Sequence, residues 1–276
     1  MIRACVIGWP IEHSRSPLIH GHWLTTYRID GSYGKTAVQP EAAADFLRSL
    51  SSNGLAGCNV TVPLKEIAFA TAGRIEDSAL AVKAANTIWL EDAVICAANT
   101  DTYGFMTHLE LTAPGWQNSA SPVAILGAGG AARAIAYGFQ QAGVEEIVIF
   151  NRTRERAEAL CQDLGKGLRT ADWSKRANCA DWACVVVNTT TIGMKGAGHL
   201  GLDFASARPD CVVADIVYVP LETSLLKDAH AHGLRTVDGL GMLLHQAVPG
   251  FERWFGVRPE VTPALRRVVL DDLGAQ

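Results

Sequence analysis

The sequence predicts an α/β fold of alternating strands and helices, with a nucleotide-binding unit in its middle. Three observations carry that prediction. Pro122–Ala136 reads PVAILGAGGAARAIA: an apolar run of buried-strand type, Val123 to Leu126, then glycines, then an alanine-rich helical stretch. A second apolar run, Glu146–Phe150, follows at the distance a βαβ unit needs. Further strand-like runs stand at Arg3–Gly8, Ser32–Val38, Cys184–Val187, Val212–Val217 and Arg235–Val237, interleaved with helical patterns such as Pro40–Ser51 and Thr223–His232.

The glycine segment carries the cofactor reading. Gly127, Ala128, Gly129, Gly130, Ala131 and Ala132 fit G-x-G-x-x-A. Gly127 permits a tight turn, Gly129 lets backbone approach a pyrophosphate, and Ala132 lets the helix sit close on its strand. The helix N-terminus offers free N–H groups and a positive dipole end to the phosphates. After the second strand comes Asn151-Arg152-Thr153-Arg154-Glu155-Arg156, where an NAD protein usually places Asp or Glu. Arg152 and Arg156, four apart, are expected on one face of the next helix, with Arg154 turned away. Cations there need an anion to offset the dipole, and a 2′-phosphate supplies one, so NADP(H) is expected over NAD; a solvated charged helix start is the alternative.

Composition bounds the rest. The 276 residues leave room for one large or two ordinary domains. Hydrophobic residues at 49% against 19% charged describe a globular protein with an ample core, and a net charge of −4 argues against nucleic acid as the main partner. Seven cysteines form no C-x-x-C pair and no metal spacing with histidine, as expected in a reducing compartment. No apolar leader precedes Glu12 and Arg15, and no run is long enough to span a membrane. A soluble cytoplasmic protein without membrane or metal is expected.

The first hundred residues hold polar clusters at strand ends. Ser14 and Ser16 place two hydroxyls in one turn before Pro17, which suits a first helical position. One serine as a helix cap is the simpler reading, and it leaves the other unexplained. Asn59, Thr61 and Lys65 converge where a strand meets Pro63. Lys65 is either a solvated surface lysine or a ligand contact at a helix start that disfavours its charge. Asn86-Thr87 and Asn99-Thr100-Asp101 bracket a hairpin through Glu91-Asp92, with Asp101 either a helix cap or a carboxylate aimed into a cleft. Later, Asn188–Met194 forms a loop suited to covering a cofactor, Gly239 and Gly241 read as a linker or hinge, and Thr262-Pro263 caps a helix through Leu273.

Together these motifs resemble the shikimate dehydrogenase family over essentially the whole chain. The resemblance rests on Ser14-Arg15-Ser16, Asn59–Lys65, Asn86-Thr87, Asn99-Thr100-Asp101-x-x-Gly104 and the glycine loop. It continues in Asn151-Arg152-Thr153-x-x-Arg156, Asp215-x-x-Tyr218-x-Pro220 and Gly239-x-Gly241-Met242-x-x-x-Gln246. Lys83 stands where a glycine is common, Ala98 replaces another, and Thr191 replaces a proline whose loss is expected to loosen the loop over the nicotinamide.

The resemblance implies two domains: 1–102 with 242–276 for the substrate, and a Rossmann domain, 103–241, for NADP(H), with the active site in the groove between them. It implies reversible NADPH-dependent reduction of 3-dehydroshikimate to shikimate in aromatic amino acid biosynthesis, by a monomer or homodimer. Ser14 and Ser16, helped by Tyr218, would take the substrate carboxylate. Thr61, Lys65, Asn86, Asp101 and Gln246 would hold the ring hydroxyls, with Lys65 and Asp101 the catalytic pair. Cofactor contacts would extend to Asn151, Arg152, Thr153, Arg156, Thr189, Met194, Val217, Gly239 and Met242. A quinate or dual quinate/shikimate dehydrogenase is the nearest rival; a catalytically idle nucleotide-binding paralogue is the alternative of another class.

Overall fold

The computed structural model describes residues 1–118 and 120–274. Residues 275–276, the end of the expected C-terminal segment, lie outside the described residues. The leading segment runs β1 (Ile2–Gly8), α1 (Ser16–Thr26), β2 (Gly31–Ala37), α2 (Pro40–Arg48), β3 (Gly57–Val60), α3 (Lys65–Thr71), β4 (Arg74–Ile75), α4 (Asp77–Val82), β5 (Thr87–Glu91) and β6 (Val94–Ala98). The middle follows as α5 (Asp101–Thr112), β7 (Val123–Leu126), α6 (Gly130–Gln141), β8 (Ile147–Phe150), α7 (Arg154–Leu164), β9 (Leu168–Ala171), β10 (Val185–Asn188), β11 (Val212–Asp215), α8 (Ser224–Ala231) and β12 (Arg235–Val237). Three helices close the chain: α9 (Gly239–His245), α10 (Ala247–Phe255) and α11 (Pro263–Leu273).

These elements form two compact units, one of Met1–Asp101 with Leu244–Gly274, the other of Thr102–Leu243. In the first, the sheet order is β2-β1-β3-β5-β6-β4. It is mixed: β1 pairs parallel with β2 and β3, whereas β5 runs against both β3 and β6. The β5–β6 hairpin turns through Asp92 and Ala93, both with positive φ, the two-residue geometry that matches strand twist. One sheet face buries Leu47, Leu50, Val60, Leu64 and Ile88. An aromatic cluster of His20, Trp23, Tyr33, Phe251 and Trp254 is drawn from α1, β2 and α10.

The second unit has a six-stranded, wholly parallel sheet in the order β12-β11-β10-β7-β8-β9. This is the doubly wound Rossmann arrangement, and the strand order reverses between β7 and β10. Near-continuous apolar strands follow from burial on both faces: Val123–Leu126 and Ile147–Phe150 are each at most 1% exposed. The edge strand β9, with Arg169 exposed, lacks that apolar signature. The two-residue β4 is shorter than any pattern can report.

Three local expectations are corrected. Arg15 is the N-cap of α1, so Pro17 takes its second position. The helix after β8 starts at Arg154 with Thr153 as N-cap, so Arg152 precedes it and shares no helical face with Arg156. Gly239 and Gly241 are no linker. They lie in α9, where a Cβ on Gly239 would strike the Ile216 carbonyl and one on Gly241 the His108 ring. Close approach between elements, rather than freedom, explains both glycines.

Candidate active site

In the first unit, sheet direction brings the polar clusters to one edge. β1, β3 and β6 end there and β5 begins there. Ser14 and Ser16 follow β1, Thr61 and Lys65 follow β3, Asn86 precedes β5, and Asp101 follows β6.

Lys65 is the first residue of α3, where no side chain caps the helix. The positive dipole end disfavours an ammonium group there, and Asp101 offsets it. Lys65 Nζ donates to Asp101 Oδ2 at 2.5 Å, the side chains being 27% and 14% exposed. Asp101 Oδ1 accepts from Asn86 Nδ2 at 2.8 Å. Asn86 Nδ2 also lies 3.5 Å from the Oε1 of Gln246, at the junction of α9 and α10. Asp101 thus meets two side chains rather than capping α5, and its own N–H is taken by Asn99 Oδ1 at 3.0 Å. The arrangement can hold a polar oxygen beside an ammonium donor whose position is fixed.

Neither serine is the N-cap of α1, a position Arg15 takes. They bond each other instead: Ser14 Oγ accepts from Ser16 N at 3.3 Å, and the two hydroxyls are 3.3 Å apart. Close by, the Tyr33 phenol donates to Asn59 Oδ1 at 2.6 Å. Burial pushes the Tyr33 hydroxyl well above its usual range, so it stays protonated. Arg15, between the serines, turns to Asp272 at 2.9 Å and to the His13 carbonyl at 2.7 Å. Thr61 is half-buried, and its methyl stands where a Cβ on Gly8 would go.

The second unit carries the nucleotide candidates, all beyond carboxyl ends of parallel strands, where open α/β sheets hold ligands. Gly127 has φ +116°, and a Cβ there would collide with Thr189. Cβ atoms on Gly129 or Gly130 would meet nothing within 4 Å, so the backbone at the N-terminus of α6 is open. No side chain caps that helix. Open N–H groups at the strand-order reversal fit a pyrophosphate. Asn151 Nδ2 donates to the Thr153 carbonyl at 2.7 Å and shapes the turn after β8. Arg154 pairs with Glu158 at 2.7 Å, leaving Arg152 and Arg156 exposed and without an ion pair among the described residues. Two uncommitted guanidinium groups fit a 2′-phosphate.

The remaining candidates are less open. Thr189 Oγ1 donates to the Leu126 carbonyl at 2.7 Å, and Val217 is buried with its N–H on Asp215. Met242 is partly buried against the core, Gly239 abuts Ile216, Met194 is exposed, and Tyr218 is half-buried. Asn188 ties the Thr191 loop, accepting from Thr190 N–H at 3.0 Å and donating to the Ile192 carbonyl at 3.1 Å. Lys83, where a glycine is common, ends α4 in the left-handed conformation at φ +55°.

Three residues named in the polar clusters, but given no role by the resemblance, also belong to the first site. Asn59, Thr87 and Thr100 are buried and bonded around Asn86. The doubled Asn-Thr pair, at 86–87 and 99–100, was the available signal. Among the described residues there is no metal-ligating cluster and no helix long and apolar enough to cross a membrane.

Comparison with known proteins shows the family. Residues 6–88 fit the shikimate dehydrogenase substrate binding domain, 112–194 the shikimate / quinate 5-dehydrogenase domain, and 239–270 the shikimate 5'-dehydrogenase C-terminal domain. The shikimate dehydrogenase (NADP(+)) of Azorhizobium caulinodans is 50% identical over 276 residues, covering 100% of this chain and 98% of that protein. Among solved structures, a Thermus thermophilus shikimate 5-dehydrogenase in complex with NADP(H) and shikimate aligns with TM-score 0.85 at 31% identity, covering 99% of this chain and 100% of that one. Quinate dehydrogenase from Corynebacterium glutamicum in complex with NAD aligns with TM-score 0.89 at 27% identity, covering 98% and 99%. The chain belongs to the shikimate dehydrogenase family.

Proposed function

We propose that this chain catalyses the reversible, NADPH-dependent reduction of 3-dehydroshikimate to shikimate in the cytoplasm, with Lys65 and Asp101 as its catalytic pair. The observation that carries the residue roles is the Lys65–Asp101–Asn86 cluster at the first unit's sheet edge. In this reading residues 1–102 and 242–276 bind substrate, and residues 103–241 bind the nucleotide.

The nicotinamide, when bound, supplies the hydride. The chain supplies placement and the proton. Lys65 Nζ donates a proton to the carbonyl oxygen as it becomes an alcohol, and takes one back in the oxidation direction. Asp101 holds the ammonium in place and orients the substrate. Thr61, Asn86 and Gln246 take ring hydroxyls. The hydroxyls of Ser14 and Ser16, with Tyr218, take the carboxylate, which suits a small anion held at modest affinity. Gly127 to Ala131 cradle the pyrophosphate, and Arg152 and Arg156, with Asn151 and Thr153, hold the 2′-phosphate. Thr189, Met194, Val217, Gly239 and Met242 complete the nicotinamide side.

Nicotinamide absorbance with shikimate and quinate, each against NADP and NAD, tests the activity. The highest kcat/KM is expected for shikimate with NADP. A higher value for quinate with NAD overturns the assignment, and nucleotide binding without turnover identifies an idle paralogue.

A further inference from the structure

We propose that Thr87 is a positioning residue for the reaction: together with Thr100 it holds the Asn86 amide oxygen, so that the amide N–H groups meet Asp101 and the substrate. The inference rests on the reading of Asn86 and Asp101 as substrate-holding residues.

An asparagine amide has an oxygen that only accepts and a nitrogen that only donates, similar in shape and opposite in chemistry, so its neighbours decide which end points where. At Asn86 the neighbours are explicit. The Thr100 backbone N–H donates to Asn86 Oδ1 at 2.8 Å. A flipped amide would set N–H against N–H. The second lone pair of Oδ1 faces two hydroxyls, Thr87 Oγ1 and Thr100 Oγ1, each 3.0 Å away and 3.1 Å from each other. Two hydroxyls share this corner, and the direction of the Thr87 hydroxyl is set from behind.

Asn59 sets it. Asn59 Nδ2 donates to the Asn86 backbone carbonyl at 3.1 Å and to Thr87 Oγ1 at 3.3 Å. A carbonyl can only accept, so the Asn59 nitrogen must lie on that side, and its oxygen takes the Tyr33 phenol. Thr87 therefore accepts from Asn59, which leaves its one proton to donate to Asn86 Oδ1. With its oxygen occupied, Asn86 presents only N–H groups to the site. One meets Asp101 Oδ1 at 2.8 Å; the Gln246 contact at 3.5 Å is long enough for a ligand oxygen to compete with it. The site thus reads an acceptor oxygen at this position and rejects a pure donor. Thr87 is 1% exposed and acts through Asn86.

Thr87→Val removes the hydroxyl and keeps the shape. It should lower kcat with shikimate roughly 10-fold, with NADP Kd unchanged. Thr87→Ser should restore kcat to within about twofold, since it retains the hydroxyl. In an Asn86→Ala background, Thr87→Val should cost nothing further; a merely structural threonine would show an additional loss. Thr87→Ala repeats the comparison if the valine variant does not fold. Normal kcat in Thr87→Val, no rescue by serine, or additive losses with Asn86→Ala would each overturn the positioning role. Full activity in Asn86→Ala alone would instead remove the reading of the site on which the inference rests.

Discussion

Lys65 Nζ lies 2.5 Å from Asp101 Oδ2 although 36 residues separate them in the chain. The ion pair places an ammonium at a helix start that repels it, and the carboxylate that compensates is itself held by Asn86. Removing either partner leaves the other charge partly buried and misplaced. Lys65→Ala should lower kcat by roughly 10²–10⁴ while shikimate still binds. Asp101→Asn keeps the shape but loses the charge, and should lower kcat by roughly 10–10² through misplacement of the lysine. Steady-state kinetics with a shikimate titration check both; near-normal turnover in Lys65→Ala would rule out the proton-donor role.

Arg152 and Arg156 make no ion pair among the described residues, unlike Arg154 with its Glu158. Charge without a partner is available to an anion. Arg152→Ala should weaken NADP binding by about tenfold or more, in line with the loss of a charge-assisted contact, and leave NAD nearly unchanged. Fluorescence titration with both nucleotides checks this, and equal losses would remove the 2′-phosphate contact.

His20 is fully buried in the aromatic cluster, stacked on Tyr33 at 4.0 Å between ring centres, and neither ring nitrogen has a well-formed hydrogen bond. Burial lowers its imidazole from 6.5 to about 3. The unfolded chain therefore binds a proton between those values that the folded chain refuses, so stability falls as pH drops from about 6.5 toward 3. The loss amounts to roughly 3–5 kcal/mol. Asp215 in the second unit works in the other direction. Burial raises its carboxyl to about 6, so its contribution is full below the unfolded value and is lost as pH rises toward and through 6. Urea unfolding from pH 3 to 7 should show a flatter acid limb for His20→Phe than for the parent; identical limbs would refute the assignment.

Gly241 has no room for a side chain, because an added methyl overlaps the His108 ring. His108 is itself buried, and its Nδ1 is 3.2 Å from the Thr112 hydroxyl. Gly241→Ala should cost about 1–3 kcal/mol by overpacking and lower Tm by several degrees. An unchanged melting curve would restore the hinge reading of this segment.

Lys83 has the opposite problem. It holds φ +55° with a Cβ, which glycine would do without strain. Lys83→Gly should raise stability by about 1 kcal/mol, measured as a shift in the urea midpoint with unchanged slope.

Local sequence was sufficient where chemistry is local. The G-x-G-x-x-A turn, the apolar strands on either side and the Thr262-Pro263 helix start all appear as read, because turn sterics, two-sided burial and capping act over a few residues. The Gly239–Met242 segment misled because glycine signals both a hinge and a close contact, and only the neighbours in space, Ile216 and His108, tell them apart. Arg152 lies off the expected face because a helix start can shift by two residues, which moves a side chain off the helical face altogether.

The sequence by itself determined the residue types, the strand and helix alphabet, and the family resemblance, since these depend on short-range pattern and order. Tertiary structure decided which oxygen of Asp101 faces Lys65, which end of the Asn86 amide faces the site, and why Thr87, Thr100 and Asn59 must carry a hydroxyl or an amide. Those choices are made by hydrogen bonds between residues brought side by side at one sheet edge. Strand direction and register, not proximity along the chain, put them there.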